Sequence, residues 1–368
     1  MITNESEEVR LHKVAREISS EGTTSVFIRT MLEYDPEKLN EPQSKLYGLK
    51  FDVGDILNVF STENKNWWCA KKMTDDNEIE YGIIPSQKFQ MNTILSFMSK
   101  LYKDQQGSTS KQILQSNAFT DQFHRQLSSI ISRFGSRISS RESQSSWIQY
   151  APLYYSQVEF VPYEEVVPVD KFRRKCLLLL GVHGVGKREV KQNLLINYPD
   201  SFVSPVSYTT RQRNDDEVDG QDFHFISKEQ MKQRIRNNEF LDYSSHKSET
   251  YGVTINSVRR LMHQSKIILV DVSTDCLKML RNREFCPYLV FIACDPNLPN
   301  VGTLYKNGEF NVALEIMVRE SELMQFVFRP YLDLIIVQKN VDKTVRTIVS
   351  FVERMEEGLQ WIPVSWTC

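Results

Sequence analysis

The residues best suited to chemistry lie in a glycine-rich loop between an apolar run and a helical sequence. The run Cys176–Leu180 is followed by Gly181, Gly184, Gly186 and Lys187, and then by REVKQNLLINY. The spacing Gly-x4-Gly-Lys between a buried strand and a helix is typical of a phosphate-binding P-loop. Its glycines let backbone N–H groups face a phosphate, and the lysine adds a positive charge. The segment therefore predicts a phosphate-binding loop.

The residue after the lysine departs from this pattern. In kinases of this kind a Ser or Thr hydroxyl ligates the Mg²⁺ that bridges the β- and γ-phosphates. Arg188 has no acceptor lone pair, so it cannot ligate a metal, and its charge opposes a cation at that position. Because phosphoryl transfer depends on positioning and on neutralising charge, we expect a degenerate loop without transfer activity, a cofactor or a metal.

The composition indicates a globular chain with several domains. Among 368 residues, 45 basic and 47 acidic side chains give a net charge of −2, so no global field favours nucleic acid or anionic lipid. The cysteines form no CxxC pair and no regular framework, which favours reduced thiols in a cytosolic protein. No stretch has the length and apolarity of a membrane span, and the N-terminal sequence has no apolar signal region. The sequence therefore predicts a cytoplasmic protein.

Changes in composition and in hydrophobic pattern divide the chain into five segments. Residues 1–23 are interpreted as a linker or the tail of an upstream module, and residues 24–92 have the short alternating runs of a small β-barrel. Residues 93–170 are interpreted as a hinge that begins helically, passes through a disordered Ser- and Gln-rich stretch and ends in a strand. Residues 171–357 alternate strands and helices, which indicates an α/β domain with a parallel sheet. Residues 358–368 contain an isolated strand, which must pair elsewhere.

A stripe of apolar residues in the hinge has two interpretations. Phe119, Phe123, Leu127, Ile130 and Phe134 recur at helical spacing beside basic residues. An amphipathic helix of this kind could bind a calmodulin-like or cytoskeletal partner, or acidic lipid headgroups. The alternative, which is the commoner use of such helices, is that the stripe packs on its own domain.

Short segments along the chain carry a family resemblance. They include EYDP, FDVGDIL, NWW, GIIPS, PYEEVV, GVHGVGK, SYTTRQRNDDEVDGQDFHFIS and QWIPVSW. In this order, over about residues 25–366, they resemble the membrane-associated guanylate kinase (MAGUK) scaffolds of the CASK and palmitoylated erythrocyte membrane protein type. The resemblance implies an α/β guanylate-kinase-like domain joined to an all-β SH3-like barrel that the C-terminal strand completes. It also implies that removing the residues after Glu357 destabilises residues 25–91.

The resemblance further implies a binding site for a nucleoside monophosphate. The residues that match the GMP-binding positions of true guanylate kinases are Ser207, Arg211, Glu217, Asp242 and Tyr251. Arg211 and Tyr251 can donate to a phosphate, whereas a carboxylate at Asp242 or Glu217 can accept from a guanine N–H edge.

Several departures weaken this match. Asn214 stands where the enzymes have a second phosphate-binding arginine, although Arg213 beside it can substitute. Phe223 and Val253 each replace a residue that carries a hydroxyl. We therefore expect weak GMP binding at most.

Two further positions bear on the ATP side. No arginine lies between Arg283 and Arg319, where the resemblance implies an arginine-bearing lid that neutralises the transferred phosphoryl group. Asp271 ends an apolar strand, where it is either a retained active-site acid or a helix cap or turn residue.

The SH3-like segment keeps only part of a ligand groove. Tyr34, Trp67 and Pro85 remain of the aromatic row that binds polyproline, but the tyrosine expected after the proline is missing from PSQKF. Trp67 and Trp68 are adjacent on one strand, so one ring must point inward. We expect little binding of proline-rich ligands.

These observations predict a non-catalytic scaffold, peripheral at the plasma membrane through its partners. The resemblance implies that the former GMP pocket, including Arg211 and Arg213, binds Ser- or Thr-phosphorylated peptides at cell junctions, polarity sites or synapses. The alternative for Arg211 is an internal ion pair without function. Two rival hypotheses are an active guanylate kinase and a pseudoenzyme that binds ATP without Mg²⁺ as a switch.

Overall fold

A computed structural model describes residues 26–38, 47–73, 80–92, 161–246, 248–295 and 309–367. The predictions for residues 1–23, for the hinge from residue 93 to 160, and for the lid at residues 296–308 lie outside the described residues. The described chain forms two compact units. The first contains the described residues up to 92 together with 161–168 and 361–364, and the second contains 169–360 and 365–367.

A six-stranded sheet forms the first unit. Its strands in chain order are β1 Val26–Thr30, β2 Ile56–Ser61, β3 Trp67–Lys72, β4 Tyr81–Pro85, β5 Tyr163–Asp170 and β15 Leu359–Pro363. In space they lie in the order β15-β5-β1-β2-β3-β4, and neighbouring strands from β5 to β4 are antiparallel. The predicted SH3-like sheet is therefore present, with the C-terminal strand at one edge beside β5. This confirms the predicted fold class of this part of the chain.

The C-terminal strand is fixed by packing as well as by pairing. The ring of Trp361 lies 4.9 Å from the ring of Phe27, and the Trp361 carbonyl accepts a hydrogen bond from the guanidinium of Arg29. Ile362 is fully buried, whereas Leu359 on the same strand is 60% exposed. The strand thus contributes an apolar side chain to the core of a sheet whose other strands lie about 190 or more residues earlier.

The residues predicted to remain from a proline-binding groove are mostly inside. Tyr34 is only 1% exposed and packs against Phe51, with 5.3 Å between the ring centroids. Pro85 is also buried, and its carbonyl accepts from the hydroxyl of Tyr163. Of the three residues only Trp67 is partly exposed, and its ring lies 5.7 Å from Phe89. Buried side chains cannot line an open groove, which is consistent with the expected weakness of the SH3 segment as a ligand module.

Both tryptophans of the adjacent pair are half-buried. Trp67 packs against the buried cluster of Cys69 and Ile83, while the ring of Trp68 lies 5.8 Å from that of Tyr163. Because successive side chains of a strand point to opposite faces, each ring is packed on its own side of β3. Trp67 is thus partly in the core, as expected for one ring of the pair.

The second unit contains a parallel sheet, as predicted. Its sheet strands are β6 Cys176–Leu180, β7 Phe202–Val203, β12 Ile267–Asp271, β13 Pro287–Ala293 and β14 Leu334–Val337. They lie in the order β14-β13-β6-β12-β7, and all pairs are parallel. β6 and β13 are buried along their whole length, which explains their unbroken apolar sequences.

A smaller, four-stranded sheet and six α-helices complete the described part of this unit. The sheet contains β8 Ser207–Thr209, β9 Phe223–Phe225, β10 Phe240–His246 and β11 Glu249–Thr254, in the order β10-β11-β8-β9. The helices are α1 Lys187–Asn197, α2 Lys228–Arg236, α3 Ile255–Leu261, α4 Leu277–Leu280, α5 Glu309–Phe328 and α6 Val341–Glu357. No helix in the described part of the chain is long and apolar enough to cross a membrane.

Five cysteines lie in the cores as free thiols. They are Cys69, Cys176, Cys276, Cys286 and Cys294. Burial raises the pKa of the Cys176 and Cys276 thiols to about 12, since a thiolate loses its hydration inside the protein. These thiols therefore act as small apolar groups, and Cys368 lies outside the described residues.

A buried arginine joins several chain segments of the second unit. Arg174 is 3% exposed, and its guanidinium donates to the carbonyl of Pro287, to the Asp333 carboxylate and to the Gln360 side chain. It also lies over the ring of Trp366 at 5.4 Å. The last residues of the chain are thus bound to the point where β6 begins.

We predict that the C-terminal strand is necessary for the stability of the SH3-like sheet. Ile362→Ala should lower the free energy of unfolding of the first unit by about 2–5 kcal/mol, because it removes a fully buried side chain. Urea unfolding, with hydrogen exchange read on the peptide covering β5, measures the effect. Leu359→Ala is the matched control and should change the free energy by less than about 0.5 kcal/mol. Equal effects of the two substitutions would contradict the prediction.

Candidate functional site

The P-loop has the local geometry that the sequence predicts. It connects the buried strand β6 to α1, and α1 begins at Lys187 with Gly186 as its N-cap. No side chain caps the helix, so its first backbone N–H groups receive no side-chain acceptor there. Gly181 has φ +143, a backbone conformation that residues with a Cβ rarely adopt. The loop therefore has the strand–turn–helix geometry that the sequence predicts, and phosphate binding by it stays a prediction.

The two cations at the start of α1 have different surroundings. The ammonium of Lys187 lies 3.4 Å from a carboxylate oxygen of Asp271, which ends the neighbouring strand β12. Arg188 is exposed at the second position of α1. Burial lowers the pKa of Lys191, and the positive charge of Arg188 lowers it further. Among the described residues no group of three His, Cys, Asp or Glu side chains is placed to hold a metal ion.

Asp271 was expected either as an active-site acid or as a cap. It caps no helix, because the short helical turn that follows is preceded by Ser273 as its N-cap. Instead its carboxylate forms the ion pair with the P-loop lysine. Asp271 therefore lies beside the P-loop lysine, and a role as an active-site acid stays a prediction.

Four of the residues predicted for the GMP side, Ser207, Phe223, Asp242 and Tyr251, share one face of the four-stranded sheet. In the register, Tyr251 of β11 is opposite Thr209 of β8, and Ser207 is opposite Phe223 of β9. Asp242 of β10 is opposite Val253, two residues beyond Tyr251. Because residues at i and i+2 of a strand point the same way, these side chains lie on the same side. The opposite side packs Tyr208 with Met231 and Phe240 in a small core.

Arg211 follows β8 and is paired with a carboxylate. Its two terminal nitrogens donate to the two oxygens of Glu217, at 2.9 and 2.5 Å. The Glu217 carboxylate also accepts from the backbone N–H of Asn214 at 2.8 Å. These bonds hold the pKa of Glu217 below its usual value and raise that of Arg211. The internal ion pair, one of the two expectations for Arg211, is therefore present.

Two aromatic rings support the same guanidinium. The Arg211 guanidinium carbon lies 5.5 Å from the centroid of Phe223 and 5.6 Å from that of Phe225. Phe223 was predicted as a residue of this site that lacks the hydroxyl of the enzymes, whereas Phe225 was not predicted. The spacing Phe-His-Phe in a strand was the available signal, because it places both rings on one face. The loss of the hydroxyl therefore coincides with a cation–π platform beneath Arg211.

Two other residues predicted for this site are Asp242 and Arg213. A carboxylate oxygen of Asp242 accepts from the backbone N–H of Ser273 at 2.6 Å, so it is partly engaged within the protein. Arg213 is exposed beside Asn214 in the turn that leads to Glu217. Asp271 at the end of β12 contacts the P-loop, and Ser273, two residues later, contacts the four-stranded sheet.

Comparison with known proteins agrees with this architecture. Residues 173–355 match the guanylate kinase family. Protein lin-2 of Caenorhabditis elegans is 30% identical over 361 residues, which are 95% of this chain and 34% of that protein. Protein PALS2 of Homo sapiens is 28% identical over 350 residues, 93% of this chain and 59% of that protein. MAGUK p55 subfamily member 2 of Mus musculus is 29% identical over 350 residues and is covered to 58%.

The fold and these matches define the class of protein. Residues 173–355 form a guanylate-kinase domain, and an SH3-like sheet accompanies it. The chain belongs to the MAGUK proteins with an SH3–guanylate-kinase tandem. It spans between about a third and three fifths of the length of these curated relatives.

We predict that the first glycine of the P-loop is required for folding. A Cβ on Gly181 would lie 2.5 Å from the carbonyl oxygen of Ile292 and would strain the backbone, so Gly181→Ala should cost about 3 kcal/mol of unfolding free energy. Gly184→Ala is the control, since that φ is also positive but its Cβ would meet only the Met317 sulfur at 3.6 Å. It should cost about 1–2 kcal/mol. Equal losses in urea unfolding would contradict the packing argument.

Proposed function

We propose that this chain is a non-catalytic scaffold whose former GMP site binds phosphorylated Ser or Thr in partner proteins. The observation that carries the proposal is the setting of Arg211. Its planar guanidinium lies against two aromatic rings, and both of its terminal nitrogens donate to an oxyanion, here the carboxylate of Glu217. A guanidinium held in this way suits the paired oxygens of a phosphate monoester. Tyr251 supports the same role, because it lies on the same sheet face, with its ring 6.0 Å from that of Phe223.

The loss of phosphoryl transfer is the second part of the proposal. Arg188 occupies the position of a metal-ligating hydroxyl, and Asp271 already neutralises the P-loop lysine. A nucleotide phosphate would have to compete with that carboxylate and would lack a metal ligand from the helix. The sequence of the lid adds no arginine to stabilise the transferred group.

The setting of the function is proposed from the relatives. One of them is named MAGUK p55 subfamily member 2, and this chain covers 58% of it. We propose peripheral attachment at the plasma membrane through partners, in complexes at cell junctions, polarity sites or synapses. A calmodulin-like or cytoskeletal partner of the hinge remains part of this proposal. Nucleic acid is not among the proposed partners, since the net charge is only −2.

A binding experiment tests the phosphate site. A degenerate peptide pool with phosphoserine at its centre should bind the wild-type chain at least about tenfold more tightly than the dephosphorylated pool, because charge-assisted hydrogen bonds are strong. Arg211→Ala should remove that difference in fluorescence anisotropy. Arg234→Ala is the matched control: Arg234 also pairs with a carboxylate, Glu239, and lies over a ring, Tyr208, in the same unit. Equal binding of both pools by the wild type would contradict the proposal.

The rival function, a residual guanylate kinase, is favoured by Lys187 and by the arginine and tyrosine of the GMP side. A coupled assay with ATP, GMP and Mg²⁺ distinguishes this rival function from the scaffold proposal. We expect no ADP formation above background from the wild type or from Arg188→Ser, because the hydroxyl alone does not restore the lid arginines or free Lys187. Kinases turn over at roughly 1–100 per second, so several turnovers per second from the wild type would contradict the scaffold proposal.

A further inference from the structure

We propose that Glu217 is an internal ligand of the phosphate site, which a phosphate monoester displaces and a carboxylate of an acidic peptide does not. This inference rests on the proposed function and concerns the regulation and selectivity of the same site. Its basis is the position of the Glu217 carboxylate, whose two oxygens receive both terminal nitrogens of Arg211. That is the position in which an external oxyanion would bind the guanidinium.

The surroundings of Glu217 resemble those of a bound anion. Besides the guanidinium, the backbone N–H of Asn214 donates to Oε2, and the positive charge of Arg213 also favours the ionised carboxylate. A single carboxylate thus receives three N–H donors. An acidic side chain of this chain occupies the donors that a phosphate would use.

Arg211 does not depend on Glu217 for its placement. Phe223 and Phe225 lie against its guanidinium, and one terminal nitrogen also donates to the carbonyl of Gln212 at 2.8 Å. These contacts come from β9 and from the residue next to Arg211. If the carboxylate moves away, the guanidinium keeps its support and presents free N–H groups.

The turn that carries Glu217 can move without uncovering the core, so the cost of releasing the carboxylate is the loss of its three hydrogen bonds, which a phosphate replaces. Residues 212–216 are all exposed, and the turn is closed by a hydrogen bond from the Glu217 backbone N–H to the Asn214 carbonyl at 3.2 Å. No buried apolar side chain belongs to these residues. Movement of the turn therefore exposes no core, in contrast to movement of the sheet strands beside it.

The consequence is discrimination by charge. A phosphoserine carries close to two negative charges and three acceptor oxygens at neutral pH, whereas Asp and Glu carry one charge and two oxygens. A partner carboxylate would replace Glu217 with an equivalent group and gain little from Arg211. A phosphate brings more negative charge and one more acceptor oxygen than the carboxylate that it replaces. Competition with Glu217 therefore weakens the binding of an acidic peptide more than that of a phosphopeptide.

The test compares Glu217→Gln with the wild type, using the phosphoserine pool and the same pool with aspartate at its centre. We expect Glu217→Gln to bind the phosphoserine pool roughly threefold or more tightly and to acquire measurable binding of the aspartate pool. Glu239→Gln is the control, because it removes the same charge from the carboxylate partner of Arg234 in the same unit and should leave both affinities unchanged. Glu217→Ala repeats the test if the glutamine variant unfolds.

The outcomes separate this inference from the proposed function. If the wild type binds the phosphoserine pool and both Glu217 variants bind it equally or more weakly, the internal-ligand inference is overturned, while the phosphate site stands. If neither the wild type nor the variants prefer the phosphoserine pool, the proposed function fails and the inference with it. Binding by the variants alone would overturn the inference that a phosphate displaces Glu217, and it would also contradict the proposed function of the wild-type chain.

Discussion

The burial of Arg174 is the constraint on which the architecture of the second unit depends. A charged group removed from water destabilises a protein unless its donors are satisfied, and removing a partner of a buried ion typically costs about 3–5 kcal/mol. Arg174 is satisfied by Pro287 at the start of β13, by Asp333 before β14 and by Gln360 in the C-terminal strand. These hydrogen bonds therefore join the amino ends of the central strands to the end of the chain.

This arrangement also fixes the course of the last residues. Gln360 donates to the carbonyl of Phe172 as well as accepting from Arg174, and Trp366 lies against Arg174 and Arg281. The residues between them, Trp361 to Val364, belong to the six-stranded sheet. Gln360 and Trp366, which flank this segment, are thus both held by contacts within the second unit.

The two predicted phosphate-binding elements of the guanylate-kinase domain, the P-loop and the GMP side, have the same electrostatic feature. Each retains its cation, and each cation is neutralised by a carboxylate of the chain: Lys187 by Asp271, and Arg211 by Glu217. Asp271 ends the strand β12 of the parallel sheet, and its carboxylate lies 3.4 Å from the ammonium of Lys187. Glu217 follows an exposed turn, and its carboxylate accepts two hydrogen bonds from Arg211. The two ion pairs therefore differ in the backbone that carries the carboxylate, which is a sheet strand in the first pair and an exposed turn in the second.

The amino-acid sequence determined the local features of this protein. The apolar run, the glycines and the helix after Lys187 specify strand, loop and helix, because each depends on neighbours a few residues away. The loss of the metal-ligating hydroxyl at Arg188 follows from residue type alone. Tertiary structure decided the burial of Tyr34, the aromatic platform of Phe223 and Phe225 under Arg211, and the choice of Glu217 as its partner. Burial and pairing depend on which strands and turns become neighbours in space, and one sequence read along its length does not contain those distances.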